Sequence, residues 1–121
     1  MCEYCKLPQA SQEATFHIDH VAPRISGGAT TFENLALACV SCSLRKAARE
    51  QARDPKTSHV VSLFNPRVHT WRDHFGVSSK LRIEGRTPIG RATIGALAKN
   101  REAVVAIRRE LAALGRYAPY L

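Results

Sequence analysis

The sequence predicts an α+β fold: a short β-hairpin and a helix as a compact core, followed by a basic extension with two helices. Three observations carry that reading. The four cysteines fall in two CxxC pairs, Cys2/Cys5 and Cys39/Cys42, which bracket two strand-like segments separated by a glycine turn. Beyond residue 86, apolar residues recur at helical spacing. The 121 residues, 45% hydrophobic and 23% charged, suit one folded unit and exclude a large two-domain enzyme.

Taken in order, Ala14 to Val21 reads as a strand with Phe16 and Ile18 alternating against polar neighbours, and Pro23 ends it. Ser26-Gly27-Gly28-Ala29 supplies the turn, and Asn34 to Cys39 forms a second strand with Leu35 and Leu37 on one face. Ser41 to Ala52 lacks Gly and Pro and is rich in helix formers, so a helix is expected there. Asp54-Pro55-Lys56-Thr57-Ser58 reads as a linker, dividing a core at 1–53 from an extension at 54–121. In the extension Phe64, Trp71 and Phe75 are expected to form a small core rather than a base-stacking surface, with His69 and His74 as ordinary polar residues. Val77 to Glu84 alternates weakly, as a hairpin would. Thr87-Pro88 is a cap and first-turn pair for a helix running to about Lys99. A second helix, Arg101 to Leu114, carries Val104, Val105, Ile107, Leu111 and Leu114 on one face and Arg101, Arg108 and Arg109 largely on the other, before Gly115 stops it.

Two CxxC knuckles separated by 33 residues bring four thiolates into a tetrahedral set, and soft sulfur in that geometry selects Zn²⁺. The alternatives are disulfides or a redox CxxC; a reducing compartment disfavours the first, and no βαβ pattern surrounds either pair. A structural zinc stabilises a small fold by something like 10 kcal/mol, the scale of zinc-finger peptides. Lys and Arg number 18 against 10 Asp and Glu, for a net charge of +8 and a pI near 9.9. The first 42 residues carry a net −2 and the remainder +10, so a polyanion is expected on the later part of the chain. No apolar run is long enough to cross a bilayer and no signal-peptide core is present, so a cytoplasmic location without membrane contact is expected.

Inside the hairpin stand His17-Ile18-Asp19-His20-Val21-Ala22-Pro23, Gly27-Gly28, Asn34-Leu35 and Cys39-Val40-Ser41-Cys42-Ser43. This ordered pattern, H-x-D-H-x-x-P, Gly-Gly, N-L-x-L and C-x-x-C, resembles the HNH endonucleases and spans residues 2 to 46. The resemblance implies a ββα-metal core holding one catalytic divalent ion, often buttressed by a four-cysteine zinc. It assigns His20 as general base, Asp19 as a ligand of Mg²⁺ or Mn²⁺, and Asn34 as the residue that pins the histidine loop. Ser43 stands where family members usually carry His or Asn as the other ligand, so His17 is expected to help hold the ion. Segments of the tail also look like one found on some bacterial HNH proteins, without assigning roles there.

The chemistry makes sense of those residue types. Phosphodiester hydrolysis needs an in-line water and charge neutralisation on the phosphoryl oxygens. A neutral imidazole activates water near pH 7, and a carboxylate offers a hard oxygen to Mg²⁺ or Mn²⁺. Adjacent strand residues point to opposite faces, so Asp19 and His20 meet one phosphate only if the strand breaks near His20. Arg45, Lys46, Arg67, Arg72, Arg108 and Arg109 are expected to contact the phosphate backbone. The leading expectation is a metal-dependent endonuclease acting on DNA, with RNA left open and the oligomeric state unread. The alternative is a non-catalytic zinc-stabilised nucleic-acid-binding module in which Ser43 marks decay of the site. A third reading is a zinc-ribbon scaffold for protein partners.

Overall fold

Three antiparallel hairpins and four α-helices, with three short 3-10 turns, make up the computed structural model, which describes residues 1–119. Strands β1 (His17–His20) and β2 (Leu35–Ala38) precede helix α1 (Val40–Lys46). Strands β3 (Gln51–Arg53) and β4 (Val60–Ser62) follow, then α2 (Trp71–His74), β5 (Phe75–Val77), β6 (Ile83–Gly85), α3 (Pro88–Leu97) and α4 (Glu102–Ala113). The strand, turn, strand, helix order of the first part is the one the sequence predicts.

In the first hairpin His17 faces Ala38 and His20 faces Leu35. The buried side of β2 belongs to Ala36 and Ala38, with Leu35 and Leu37 only half-buried, the reverse of the expected apolar face. That side packs against Cys2, Tyr4, Cys5, Cys39 and Cys42, and small side chains let the cysteine loops approach the sheet. Phe16 is buried but lies just before the strand, so it does not share the alternation that leaves Ile18 exposed.

Helix α1 stops at Lys46, six residues short of the expected end, where Ala47 takes a positive φ of 47°. Gln51–Arg53 pairs instead with Val60–Ser62 and buries Ala52 against Leu63 and Ala92; strand pairing and burial outweigh a modest helix propensity. The expected linker is the turn of this hairpin. Asp54 is fully buried and accepts from the Lys56 backbone N–H, the Thr57 hydroxyl and both Nε and Nη2 of Arg91 in α3, at 3.0 and 2.9 Å. A carboxylate held this way fixes the segment to the helix behind it.

Phe64, Trp71 and Phe75 are buried, with the Phe75 ring 5.0 Å from Trp71 and 5.2 Å from Phe64. They join the cysteines in one continuous core rather than forming a separate one. The Trp71 indole N–H donates to the Tyr4 carbonyl at 3.0 Å, between the first two cysteines. Phe75–Val77 and Ile83–Gly85 pair as a hairpin, but the pairing starts at Phe75, two residues before the expected segment, and the turn spans 78–82 rather than centring on Ser78-Ser79. Thr87 caps α3 through the Gly90 N–H at 3.0 Å, with Pro88 in the first turn as expected. In α4, Val104 and Val105 are buried as expected, but Leu114 is exposed and Arg108 is fully buried. Arg108 lies four residues after Val104 and three before Leu111, which is the inner face.

Candidate active site and metal centre

Cys2 and Cys5 sit in a tight N-terminal turn closed by Cys2 N–H to the Leu7 carbonyl at 2.8 Å and Lys6 N–H to the Cys2 carbonyl at 2.9 Å. Cys39 caps α1, its sulfur accepting from the Cys42 N–H at 3.4 Å. All four cysteines are unbridged and buried, and their sulfurs lie within 4.8 Å of one another. Cys5 Sγ and Cys39 Sγ are 3.8 Å apart. A tetrahedral zinc with bonds of about 2.3 Å requires sulfurs about 3.8 Å apart, so the donor set fits Zn²⁺ and not a disulfide. Four thiols this close cannot all ionise alone: hydrogen bonds from Cys39, Cys42 and Cys5 hold Cys2 well below the usual thiol range, while those with Cys2, Cys39 and Cys5 push Cys42 up. A divalent cation removes that conflict.

The other centre lies along β1. His17 and Asp19 share one strand face, and the chain bends at Val21 and Ala22, immediately after His20. His17 Nδ1 is 2.8 Å from Ser43 Oγ of α1, so the third motif position, serine here, meets the histidine expected to support it. His20 Nε2 is 2.9 Å from Thr30 Oγ1. Asn34 accepts from the Ala22 N–H at 2.9 Å and donates to the Ala22 and Ala29 carbonyls at 2.9 and 2.8 Å. One amide therefore ties both sides of the loop that follows His20. The close approach within that loop requires Gly28: a Cβ there would stand 1.8 Å from the Ala22 carbonyl oxygen. Lys46, one helical turn beyond Ser43, donates from Nζ to the His20 carbonyl at 3.0 Å.

Asp19 Oδ2 is buried and has no hydrogen-bond partner. A hard oxygen left orphaned on the face that carries His17 and Ser43 fits Mg²⁺ or Mn²⁺, which keep several waters and need few protein ligands. Among the described residues, however, the four cysteines are the one group of three or more His, Cys, Asp or Glu ligand atoms clustered within 4.8 Å. His17, Asp19 and His20 do not close into such a set, and the His20 ring is engaged by the Thr30 side of the loop.

Of the basic residues expected on phosphate, Arg45, Arg72 and Arg109 are exposed, and Arg67 is half-buried in an ion pair with Glu3 while it lies over the Phe32 ring. Lys46 and Arg108 correct that expectation. Both are buried, Lys46 Nζ on the His20 carbonyl and the Arg108 Nη atoms on the Leu81 and Lys99 carbonyls, because each falls on the inner face of its helix rather than the solvent side. Thr30 and the positioning of His20 by Lys46 carried no signal in the sequence beyond the spacing of Lys46 from Ser43.

Residues 2–49 match the HNH family model, described as HNH endonuclease. The matched span holds both cysteine pairs, β1, β2 and α1, so fold and site together define a hairpin-and-helix domain of HNH type with a four-cysteine centre. Residues 2–49, less than half of the chain, are thus similar to the HNH endonucleases. No curated protein and no solved structure matches the chain. Among the described residues no helix is long and apolar enough to cross a membrane.

Proposed function

We propose that the protein is a metal-dependent HNH endonuclease that hydrolyses phosphodiester bonds in DNA, with His20 as the general base. The observation that carries this reading is the Asn34 clamp, which holds the His20 loop beside a strand face bearing an orphaned buried carboxylate oxygen. In this scheme His20 Nε2 leaves its Thr30 partner to take a proton from the attacking water. Lys46 holds the end of β1 through the His20 carbonyl, and Asn34 fixes where the ring enters the site. Asp19, with the His17–Ser43 pair beside it, would hold a divalent ion, which when bound would supply Lewis-acid charge to the phosphoryl oxygens. The exposed Arg45, Arg72 and Arg109, within a stretch of net +10, draw the phosphate backbone onto the domain.

One observation favours a second reading, a zinc-stabilised nucleic-acid-binding module without catalysis: Ser43 replaces a stronger ligand and is already bonded to His17. Incubation of plasmid DNA with purified protein and Mg²⁺ or Mn²⁺ separates the two. The endonuclease reading expects metal-dependent cleavage that His20→Ala lowers at least about 10²-fold; cleavage at an undiminished rate in that variant rejects it. Salt-sensitive binding with no cleavage in any metal supports the second reading, since affinity through phosphates should fall steeply between roughly 50 and 200 mM salt.

A further inference from the structure

The most unusual side chains outside the hairpin are two fully buried cations in the C-terminal extension. Lys99 follows the end of α3 and is 2% exposed; Arg108 in α4 is 0% exposed. Neither has a carboxylate partner, since the two ion pairs among the described residues are Arg67–Glu3 and Arg91–Asp54. Burying a full charge without an opposite one is among the most unfavourable arrangements a core can contain. Lys99 nevertheless sits next to the cysteines, and Arg108 is bonded to the Lys99 backbone behind it. Lys99 donates from Nζ to the Tyr4 carbonyl, between Cys2 and Cys5, with Nζ 4.1 Å from the Phe75 ring centroid. It shares the lining of one cavity of about 560 Å³ with Cys5, Cys39 and Cys42. Arg108 donates to the Lys99 carbonyl, to Leu81 O at 2.5 Å and to Asn100 Oδ1 at 3.3 Å, so it also anchors the segment that carries the lysine.

We propose that Lys99 and Arg108 are the counter-charges of the four-cysteine zinc centre, so that the C-terminal extension forms an electrostatic part of the metal site. A Zn²⁺ held by four thiolates has a formal charge of −2, and two buried cations balance it. Burial disfavours both charged side chains; the Cys42, Cys5 and Cys2 thiolates partly oppose this at Lys99, and Tyr117 followed by Cys5 and Cys42 partly oppose it at Arg108. The coupling runs in both directions. Zinc keeps the cations from being orphaned, and the cations keep the tetrathiolate from being an uncompensated dianion. This inference depends on the zinc centre and is independent of nuclease activity.

The test uses the zinc-loaded full-length chain and two variants, Lys99→Met, which keeps the stem and removes the charge, and Lys99→Arg, which keeps the charge. Each is titrated with a chelator while released zinc is measured, and a cobalt-loaded sample of each reports ligand geometry through its thiolate–metal absorption. Lys99→Met should surrender zinc about tenfold more readily, the scale of second-sphere substitutions, with an unchanged tetrahedral cobalt spectrum, and Lys99→Arg should restore retention. Failure of Lys99→Met to fold in saturating zinc while Lys99→Arg folds supports the proposal equally. Zinc held as tightly in Lys99→Met as in the natural chain overturns it, and so does equal loss in both variants, because a purely steric role predicts the latter.

Discussion

One short helix serves two sites that obey opposite rules. The first turn of α1 supplies Cys39 and Cys42 to a closed centre in which every ligand is buried and the sulfur spacing already suits the ion. The rest of the same helix turns Ser43 and Lys46 toward β1, where the imidazoles are partly or largely exposed and a carboxylate oxygen has no partner. The difference separates stability from chemistry. A saturated tetrathiolate holds a small core together and leaves no position for substrate, whereas the under-satisfied face of β1 gains little for the fold and, under the proposed function, is where water and phosphate would be met.

The largest effect that can break this contrast is removal of zinc. Chelation should unfold the domain, with a loss on the order of 10 kcal/mol, and circular dichroism should show structure lost in both the hairpin and the extension because they share one core. A metal-free chain with an unchanged melting transition would mean that the cysteines are not the fold's main staple. Next in size, His20→Ala should lower the cleavage rate 10² to 10⁴-fold, about 3 to 5 kcal/mol of barrier, while leaving the thermal transition where it was. A large stability loss in that variant would show that the strand edge is structural after all.

Asn34→Ala should blur the two regions. It leaves the Ala22 N–H and the Ala22 and Ala29 carbonyls without their partner, so urea titration should reveal destabilisation of about 1 to 3 kcal/mol together with slower cleavage. The smallest effect concerns acid stability and lies away from both sites. Arg91, with the Lys56 and Thr57 donors, holds the Asp54 carboxyl well below the usual carboxylate range. A folded value below the unfolded one, about 3.9, contributes stability that is complete above the unfolded value and lost as pH falls through the folded value. Denaturation measured from pH 6 downward should therefore be less acid-sensitive in Asp54→Asn than in the natural chain.

Much of this was legible in the residue order because the signals are local. Cysteine spacing announces a metal knuckle, Thr87-Pro88 favours a helix start, and an Asn at position 34 suits a loop clamp, which its bonds to Ala22 and Ala29 form. Burial of charge was not legible. Lys46, Lys99 and Arg108 look like solvated or phosphate-binding residues until the elements packed around them are known. The Asp54 turn likewise reads as a linker until Arg91, 37 residues away, is seen to grip it.

By itself, then, the chain specified the hairpin-helix order, the four-sulfur centre and the identity of the residues along β1. Only the tertiary structure decided that α1 ends at Lys46, that the alanines rather than the leucines of β2 face the core, and that two cations of the extension are buried, Lys99 beside the cysteines and Arg108 against the Lys99 carbonyl. Local pattern reports what a segment prefers, whereas burial and long-range pairing decide which preference survives.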